Sequence, residues 1–254
     1  ILLILMVVIF VFAVITKETE KRAYCNGEVM QLSEGWTLSD ERKIHVPVQL
    51  SNYLSQKIEI TRTLEEVDKA DSLVIFSRHT VLEVYIEEEK IYEFGENLKF
   101  FHIPVTNWNV IPMKEDYSGK KLTIVNTAKS DPYRGNIGII YLGDKMAIFI
   151  QIVKENLAAL LCVSLIFSLS FVVIILWLVT RKRKVFNQVF YLAIFGIFLS
   201  LWEILNARIP QLVFGRVEFF SLMTFEILLF MPIPFVMFYS EFSWEDNHEI
   251  EWVS

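Results

Sequence analysis

Two pairs of neighbouring side chains and one tyrosine have types that suit ligand binding. Arg78 and His79 stand side by side at the end of a predicted strand, where they could contact an anionic group. Trp108, followed by Asn109, and Tyr133 are expected in loops or at strand ends. Aromatic rings at such positions stack on sugars, and amides hydrogen-bond to them. We therefore predict ligand binding for these five residues. The alternative is that the aromatic rings only cap a hydrophobic core.

The sequence has no motif that would supply catalysis or hold a metal ion. Its two cysteines, Cys25 and Cys162, show no CxxC or Cys/His spacing. A nucleophile elbow, a phosphate loop, HExxH and GGDEF are all missing, and Glu88-Glu89 is expected in a solvated turn. The histidines are scattered as His45, His79, His102 and His248. We therefore expect no enzymatic activity, no metal and no cofactor in this chain.

The apolar residues are concentrated toward the two ends of the chain. Of the 254 residues 54% are hydrophobic and 14% aromatic, and the mean hydropathy is +0.42. Residues 17–156, by contrast, hold 18 of the 24 Lys and Arg and 22 of the 30 Asp and Glu. A water-soluble middle between membrane segments is the expected organisation. The net charge of −6 argues against nucleic acid as a partner, because phosphate binding needs a basic surface.

Four apolar segments are candidates to cross the bilayer. Residues 1–16 are interpreted as an N-terminal transmembrane anchor, with a cleaved signal peptide as the alternative. Region 157–240 is predicted to hold three transmembrane helices. The clearest of them is 157–179, whose 23 uncharged residues would make a helix of about 34 Å. The other two are 186–205 and 219–239.

The orientation follows from the basic tetrad Arg181-Lys182-Arg183-Lys184, which comes directly after the first helix of that region. Positive residues concentrate on the cytoplasmic side of membrane proteins. We therefore expect 17–156 to be extracytoplasmic and the acidic tail 241–254 to be cytoplasmic. The predicted location is the cell membrane, crossed several times, with the lipid bilayer as a partner.

Two glutamates lie within the predicted spans. Glu226 is inside the last span, and Glu203 is near the outer end of the one before it. Ionisable groups in a membrane are costly and usually face a polar partner. They are interpreted either as a proton- or ligand-coupled element, or as a neutral Glu226 bonded to a neighbouring helix with Glu203 in the interface. Pro232 and Pro234 should kink the last helix at Met231, because each removes a backbone donor.

The region between the apolar ends has the alternation of short β-strands. Apolar and polar residues alternate with period two in several runs, separated by turn residues. The segments around Glu87-Glu88-Glu89 are predicted to form a hairpin. Many short strands with polar turns predict a β-sandwich of jelly-roll type. The predicted strands are 57–63, 72–76, 82–86, 90–94, 121–126 and 136–142.

The order of these features resembles the sensory half of bacterial seven-transmembrane receptors of the diverse-intracellular-signalling type. The basic tetrad and the run Leu229-Phe230-Met231-Pro232-Ile233-Pro234 are in the expected places. Further matching stretches are Gly35-Trp36, Val84-Tyr85-Ile86, Ile91-Tyr92-Glu93-Phe94-Gly95, Trp108-Asn109-Val110-Ile111-Pro112 and Gly138-Ile139-Ile140-Tyr141-Leu142-Gly143. The resemblance covers nearly the whole chain, but it provides no catalytic motif.

This resemblance implies a membrane-anchored sensory region whose output domain is a GGDEF diguanylate cyclase. It also implies a homodimer and a small extracellular ligand, such as a sugar or a peptide. Such receptors have more helices and a catalytic domain, so we expect the tail 241–254 to be truncated. The alternatives are a histidine-kinase sensor, a stand-alone carbohydrate- or peptide-binding membrane protein, a transporter subunit and an adhesin.

Overall fold

The structure is a computed structural model. The predicted anchor 1–16 and the basic tetrad at 181–184 lie outside the residues that it describes, so both interpretations stay predictions. For residues 115, 185, 186 and 242–251 only the backbone is described. The described ranges are 29–50, 55–65, 67–68, 71–180 and 185–251.

The described part of the chain is rich in β-strands up to residue 144 and helical after it. The strands are β1 (Val29–Gln31), β2 (Trp36–Leu38), β3 (Lys43–Ile44), β4 (Val48–Gln49), β5 (Lys57–Thr63), β6 (Asp71–Ser77), β7 (Thr80–Ile86), β8 (Glu89–Phe94), β9 (Asn107–Pro112), β10 (Lys121–Ala128), β11 (Asn136–Ile137) and β12 (Ile140–Asp144). The helices are α1 (Lys145–Glu155), α2 (Leu157–Thr180), α3 (Val185–Asn206), α4 (Ile209–Phe214), α5 (Val217–Phe230) and α6 (Pro232–Glu251).

Two antiparallel sheets share one hydrophobic core. The smaller has the strand order β1-β12-β6-β9, and the larger has the order β3-β2-β5-β10-β7-β8. Side chains alternate across a strand, so every second residue of each sheet points into this core. Leu73 and Ile75 of β6 meet Leu122 and Ile124 of β10 there, each at most 1% exposed. The predicted antiparallel, sheet-rich region is therefore confirmed.

The strand boundaries follow the predicted alternation closely, with one interruption. The predicted strand 57–63 is β5 with the same limits, and the predicted hairpin joins β7 to β8 with Ile86 opposite Glu89. The predicted strand 136–142 breaks at Gly138, where a Cβ atom would lie 1.9 Å from the carbonyl oxygen of Phe76. The chain changes its strand partner there, because Ile137 pairs with Val48 of β4 whereas Ile140 pairs with Ile75 of β6.

The sequence patterns do not predict helix α1, which the structure shows directly after β12. Asp144 caps it, because its carboxylate accepts hydrogen bonds from the backbone N–H groups of Met146 and Ala147 at 3.0 and 2.9 Å. Ile148 and Ile152, one helical turn apart, are buried against the outer face of the smaller sheet. The strand that ends at Asp144 thus turns back across its own sheet as a helix.

Among the residues that the structure describes, three helices are long and apolar enough to cross a membrane: Leu157–Thr180, Asn187–Asn206 and Val217–Glu241. They lie within a few residues of the predicted spans. The third is divided between α5 and α6 at Met231, directly before Pro232, as expected for a residue without a backbone N–H.

Helices α2 and α3 pack through small residues. The Ser200 hydroxyl donates hydrogen bonds to the carbonyl oxygens of Gly196 within α3 (2.8 Å) and of Val163 on α2 (3.3 Å). A Cβ atom on Gly196 would lie 2.3 Å from the hydroxyl oxygen of Ser170. Such small-residue contacts are typical of helix pairs in membranes.

Candidate functional site

Trp108 lies under α1 rather than on an open surface. It projects from the outer face of the smaller sheet, where its ring is 4.6 Å from the ring of Phe76 and 6.2 Å from that of Tyr141. Ile148 and Ile152 of α1 belong to the same apolar cluster. The residue is 8% exposed, which leaves little of the ring for a ligand. Its position favours the alternative of an aromatic cap.

Asn109 points the other way, into the space between the sheets, because neighbours on a strand face opposite sides. Its side-chain nitrogen donates to the carbonyl oxygen of Ile75 at 3.1 Å and to the hydroxyl of Ser77 at 2.8 Å. Its side-chain oxygen accepts from the Tyr92 hydroxyl at 3.2 Å and from the Asn107 amide at 3.1 Å. Asn109 is 1% exposed, so these four hydrogen bonds satisfy a buried amide and fix one end of β9.

His79 and Tyr133 come together at the turn between β6 and β7. Their ring centroids are 4.4 Å apart, and His79 Nδ1 lies 2.9 Å from the carbonyl oxygen of Pro104. Burial lowers the pKa of His79, the hydrogen bond to Pro104 opposes this, and the charges of Arg208 and Arg78 lower the pKa further. The imidazole therefore favours its neutral form beside two positively charged guanidinium groups.

Arg78 is exposed and lines a groove of about 300 Å³ beside β4 and β11. Its guanidinium lies 6.0 Å from the ring centroid of Phe76. The side chains of Gln49 and Asn136 also line the groove, and the Asn136 amide donates to the Gln49 amide oxygen at 2.8 Å. A cation with two amides in a concavity of this size suits a small ligand that has a carboxylate or several hydroxyls. We call it the Arg78 groove.

A buried glutamine connects the sheets to the helices. Gln211 on α4 is 2% exposed. With its amide turned to pair every donor with an acceptor, it donates to the carbonyl oxygen of Thr106 at 3.2 Å. Its oxygen then accepts from the Arg208 guanidinium at 3.0 Å and from the Ser221 hydroxyl at 3.1 Å. One side chain thus joins the residue before β9, the connection after α3 and the first turns of α5.

A carboxylate makes a second link nearby. Glu218, in the first turn of α5, accepts hydrogen bonds from the backbone N–H groups of Lys99 and Phe100, both at 2.9 Å. Lys99 and Phe100 belong to the segment between β8 and β9. A carboxylate is favourable in the first turn of a helix, where it also counters the helix dipole. We call Gln211, Glu218 and their partners the junction.

Helix α1 forms a third link, through Tyr141. The Tyr141 hydroxyl donates to the Glu155 carboxylate at 2.7 Å, in the last turn of α1. Burial, followed by this bond to an anion, raises the pKa of Tyr141, so the hydroxyl stays a donor. After Asn156 the chain continues at once into α2, so a helix fixed to the sheet leads directly into a candidate membrane span.

The two glutamates of the predicted spans occupy different environments. Glu203 is partly buried on α3. Glu226 is exposed on α5, on the side opposite Ser221, Thr224 and Ile227, which are the buried residues of that helix. The coupling role and the structural role suggested for them both stay predictions.

The described residues contain no group of three or more His, Cys, Asp or Glu side chains that could hold a metal ion. No family model matches the chain, and no curated protein is significantly similar to it. The geometry of the Arg78 groove and of the junction is therefore the basis for the function proposed below.

Arg78, His79 and Tyr133 are candidates from the sequence, and the structure places Tyr133 beside His79, whereas the residues of the junction are not among those candidates. Arg208 and Gln211 are two of the three polar residues, with Arg216, in the short connection between two apolar helices.

Proposed function

We propose that this chain is the sensory input region of a bacterial membrane receptor of the seven-transmembrane, diverse-intracellular-signalling type, of the kind that controls a GGDEF diguanylate cyclase. In this proposal residues 17–156 form an extracytoplasmic, jelly-roll-like domain, and a small peptide or acidic sugar binds in the Arg78 groove. The helices carry the effect of binding to the cytoplasmic side.

The strand order supports the jelly-roll description. A jelly roll has eight strands in two sheets and is built from two Greek keys. Here the smaller sheet takes β1, β6, β9 and β12, while β5, β7, β8 and β10 are neighbours in the larger one. The chain therefore passes repeatedly from one sheet to the other, and β2 and β3 extend the larger sheet at its edge.

The observation that carries the proposal is the short path from the Arg78 groove to the helices. Arg78 is followed by His79, which contacts the Pro104 carbonyl. Thr106 follows Pro104 by two residues, and its carbonyl oxygen accepts a hydrogen bond from the Gln211 amide. A ligand that moves the β6–β7 turn therefore acts on the connection between two membrane helices. Coupling needs two arrangements of this path that the ligand binds differently.

A fusion protein tests this coupling without knowledge of the ligand. The carboxyl end of the chain is joined to a GGDEF diguanylate cyclase domain through linkers that differ by single residues over one helical turn. Cyclic di-GMP is then measured in cells. Gln211→Leu keeps the size of the side chain but removes its hydrogen bonds to Thr106, Arg208 and Ser221. We expect it to change the output at least threefold in the linker series.

Gln56→Leu is the matched control, because Gln56 is exposed and distant in sequence from the junction. It should leave the cyclic di-GMP level unchanged. Equal output from the wild type, Gln211→Leu and Gln56→Leu with every linker would contradict the proposal.

A further inference from the structure

The segment between β8 and β9 is bonded to the first turn of a candidate membrane span. The backbone N–H groups of Lys99 and Phe100 both bond to Glu218, the second residue of the candidate span Val217–Glu241. The ends of a spanning helix lie at the boundary between hydrocarbon and headgroups. A backbone segment bonded to the first turn of such a helix must lie at the same depth.

The side chains at this depth are apolar and uncovered. Phe100 is 73% exposed, and Ile103, three residues later, is 44% exposed. Phe214, the last residue of α4, is 68% exposed and approaches Phe220 of α5, with 5.9 Å between the ring centroids. Exposure of several large apolar side chains near the start of one candidate span is costly in water but favourable in contact with a membrane.

Basic residues stand beside these apolar side chains. Lys99 precedes Phe100, and Arg216 directly precedes α5. Long basic side chains at this level extend toward lipid phosphates while their stems stay in the apolar layer. Apolar tips with flanking cations are the composition expected at a lipid surface, whereas a helix-packing surface would be covered by small residues.

We propose that Phe100, Ile103 and Phe214 form an interfacial patch that inserts into the bilayer leaflet on the side of the β domain. The occupant is the lipid of that leaflet. The domain then has two kinds of attachment to the membrane, the spanning helices and a patch of its own. This inference depends on the membrane position of the three helices, but not on a ligand or on signalling.

Spin labels measure the depth of this patch. The protein with Cys25→Ser and Cys162→Ala is given a single cysteine by Phe100→Cys or, independently, by Phe214→Cys. Each variant is labelled with a nitroxide and reconstituted into liposomes of phosphatidylcholine and phosphatidylglycerol. The rate at which the nitroxide collides with oxygen, which partitions into lipid, is compared with its collision rate with a water-soluble nickel chelate. We expect the collision rate with oxygen to be the higher one at both positions.

Asn97→Cys is the matched control, because Asn97 is exposed in the same segment. Its label should collide mainly with the nickel chelate. If positions 100 and 214 behave as position 97 does, the patch is in water and the proposal is wrong. If both reagents are excluded from 100 and 214, another protein segment or a second copy covers them, and the proposal is again wrong. Neither result affects the fusion experiment.

Discussion

Tyr141 and Glu155 are joined by a hydrogen bond of 2.7 Å, which fixes the last turn of α1 to the outer face of the smaller sheet. Because α2 begins two residues after Glu155, this bond sets where a candidate membrane span starts relative to the β domain. Together with Gln211 and Glu218 it gives the domain three polar attachments to the helices. Each attachment can be removed by one substitution without emptying the core.

Tyr141→Phe removes the bond to Glu155 and keeps the aromatic ring. We expect a loss of about 1 kcal/mol, because Glu155 is exposed and its carboxylate can turn to water. Hydrogen exchange of the backbone amides in α1 should become severalfold faster, while the amides of β10 stay protected. Tyr133→Phe keeps its ring beside His79 and serves as the control. Unchanged exchange in α1 would show that the apolar contacts alone hold this helix.

The stability of the β domain should fall as the pH is lowered through the titration range of histidine. The pKa of His79 is lowered from its usual value of 6.5, first of all by burial. Between the folded pKa and 6.5 the unfolded chain binds more protons, so stability decreases with falling pH there and levels off below the folded pKa. His79→Asn, which tolerates the positive φ of 53° at this position, should lose this part of the dependence.

The unfolding temperatures of the wild type and of His79→Asn are measured from pH 7.5 to pH 5. The contribution of His79 is the difference between the two proteins in how the unfolding temperature changes with pH. If the wild type and His79→Asn lose the same stability over this range, then His79 is not the group that titrates.

Gly138→Ala should destabilise the domain by about 3 kcal/mol. The new Cβ atom would lie 1.9 Å from the carbonyl oxygen of Phe76, and relief of this clash must move backbone that is held by the bond between Phe76 N–H and the Ile139 carbonyl. Gly119→Ala is the comparison. It meets no atom within 4 Å and costs only about 1 kcal/mol for its positive φ of 75°. If urea unfolding shows the same loss of unfolding free energy for Gly138→Ala and Gly119→Ala, then the backbone of Phe76 does not restrict the side chain at position 138.

Arg78→Gln should weaken binding of carboxylates in the Arg78 groove about tenfold, the value of one charge-assisted hydrogen bond at an exposed site. Galacturonate and dialanine are titrated against galactose and dialanine amide, with the unfolding midpoint as the readout. Lys43→Gln, at an exposed position on β3, is the control. If the carboxylates raise the unfolding midpoint of Arg78→Gln as much as that of Lys43→Gln, that result would place the anion site elsewhere.

Local patterns predicted the longer alternating strands and the long apolar helices, because burial leaves a periodic trace in the sequence, but they did not predict β9 or the short strands β1 to β4. The alternation in 57–63 gave β5 its limits, and the uncharged run 157–179 marked α2 to within one residue. Helix α1 was missed, since its eleven residues follow a strand directly and present only a narrow apolar face with Ile148 and Ile152. Short amphipathic helices next to strands are the elements that such patterns separate least clearly.

The site was predicted only where neighbours in sequence are also neighbours in space. Arg78 and His79 adjoin in the chain, and the structure brings Tyr133 to them. The bond between Thr106 and Gln211 joins residues that are far apart in sequence, and no periodicity encodes it. Trp108 and Asn109 are both predicted to bind a ligand, but the pleat of β9 sends one under α1 and the other between the sheets.

Substituted-cysteine labelling tests the central claim, that the β domain and the carboxyl end lie on opposite sides of the membrane. In the protein with Cys25→Ser and Cys162→Ala, one cysteine is placed at Glu88, in the exposed β7–β8 turn, or at Ser254. Intact cells are treated with a membrane-impermeant maleimide. We expect Glu88→Cys to be labelled at once and Ser254→Cys only after permeabilisation. Labelling of both positions in intact cells, or of Ser254→Cys alone, would contradict it.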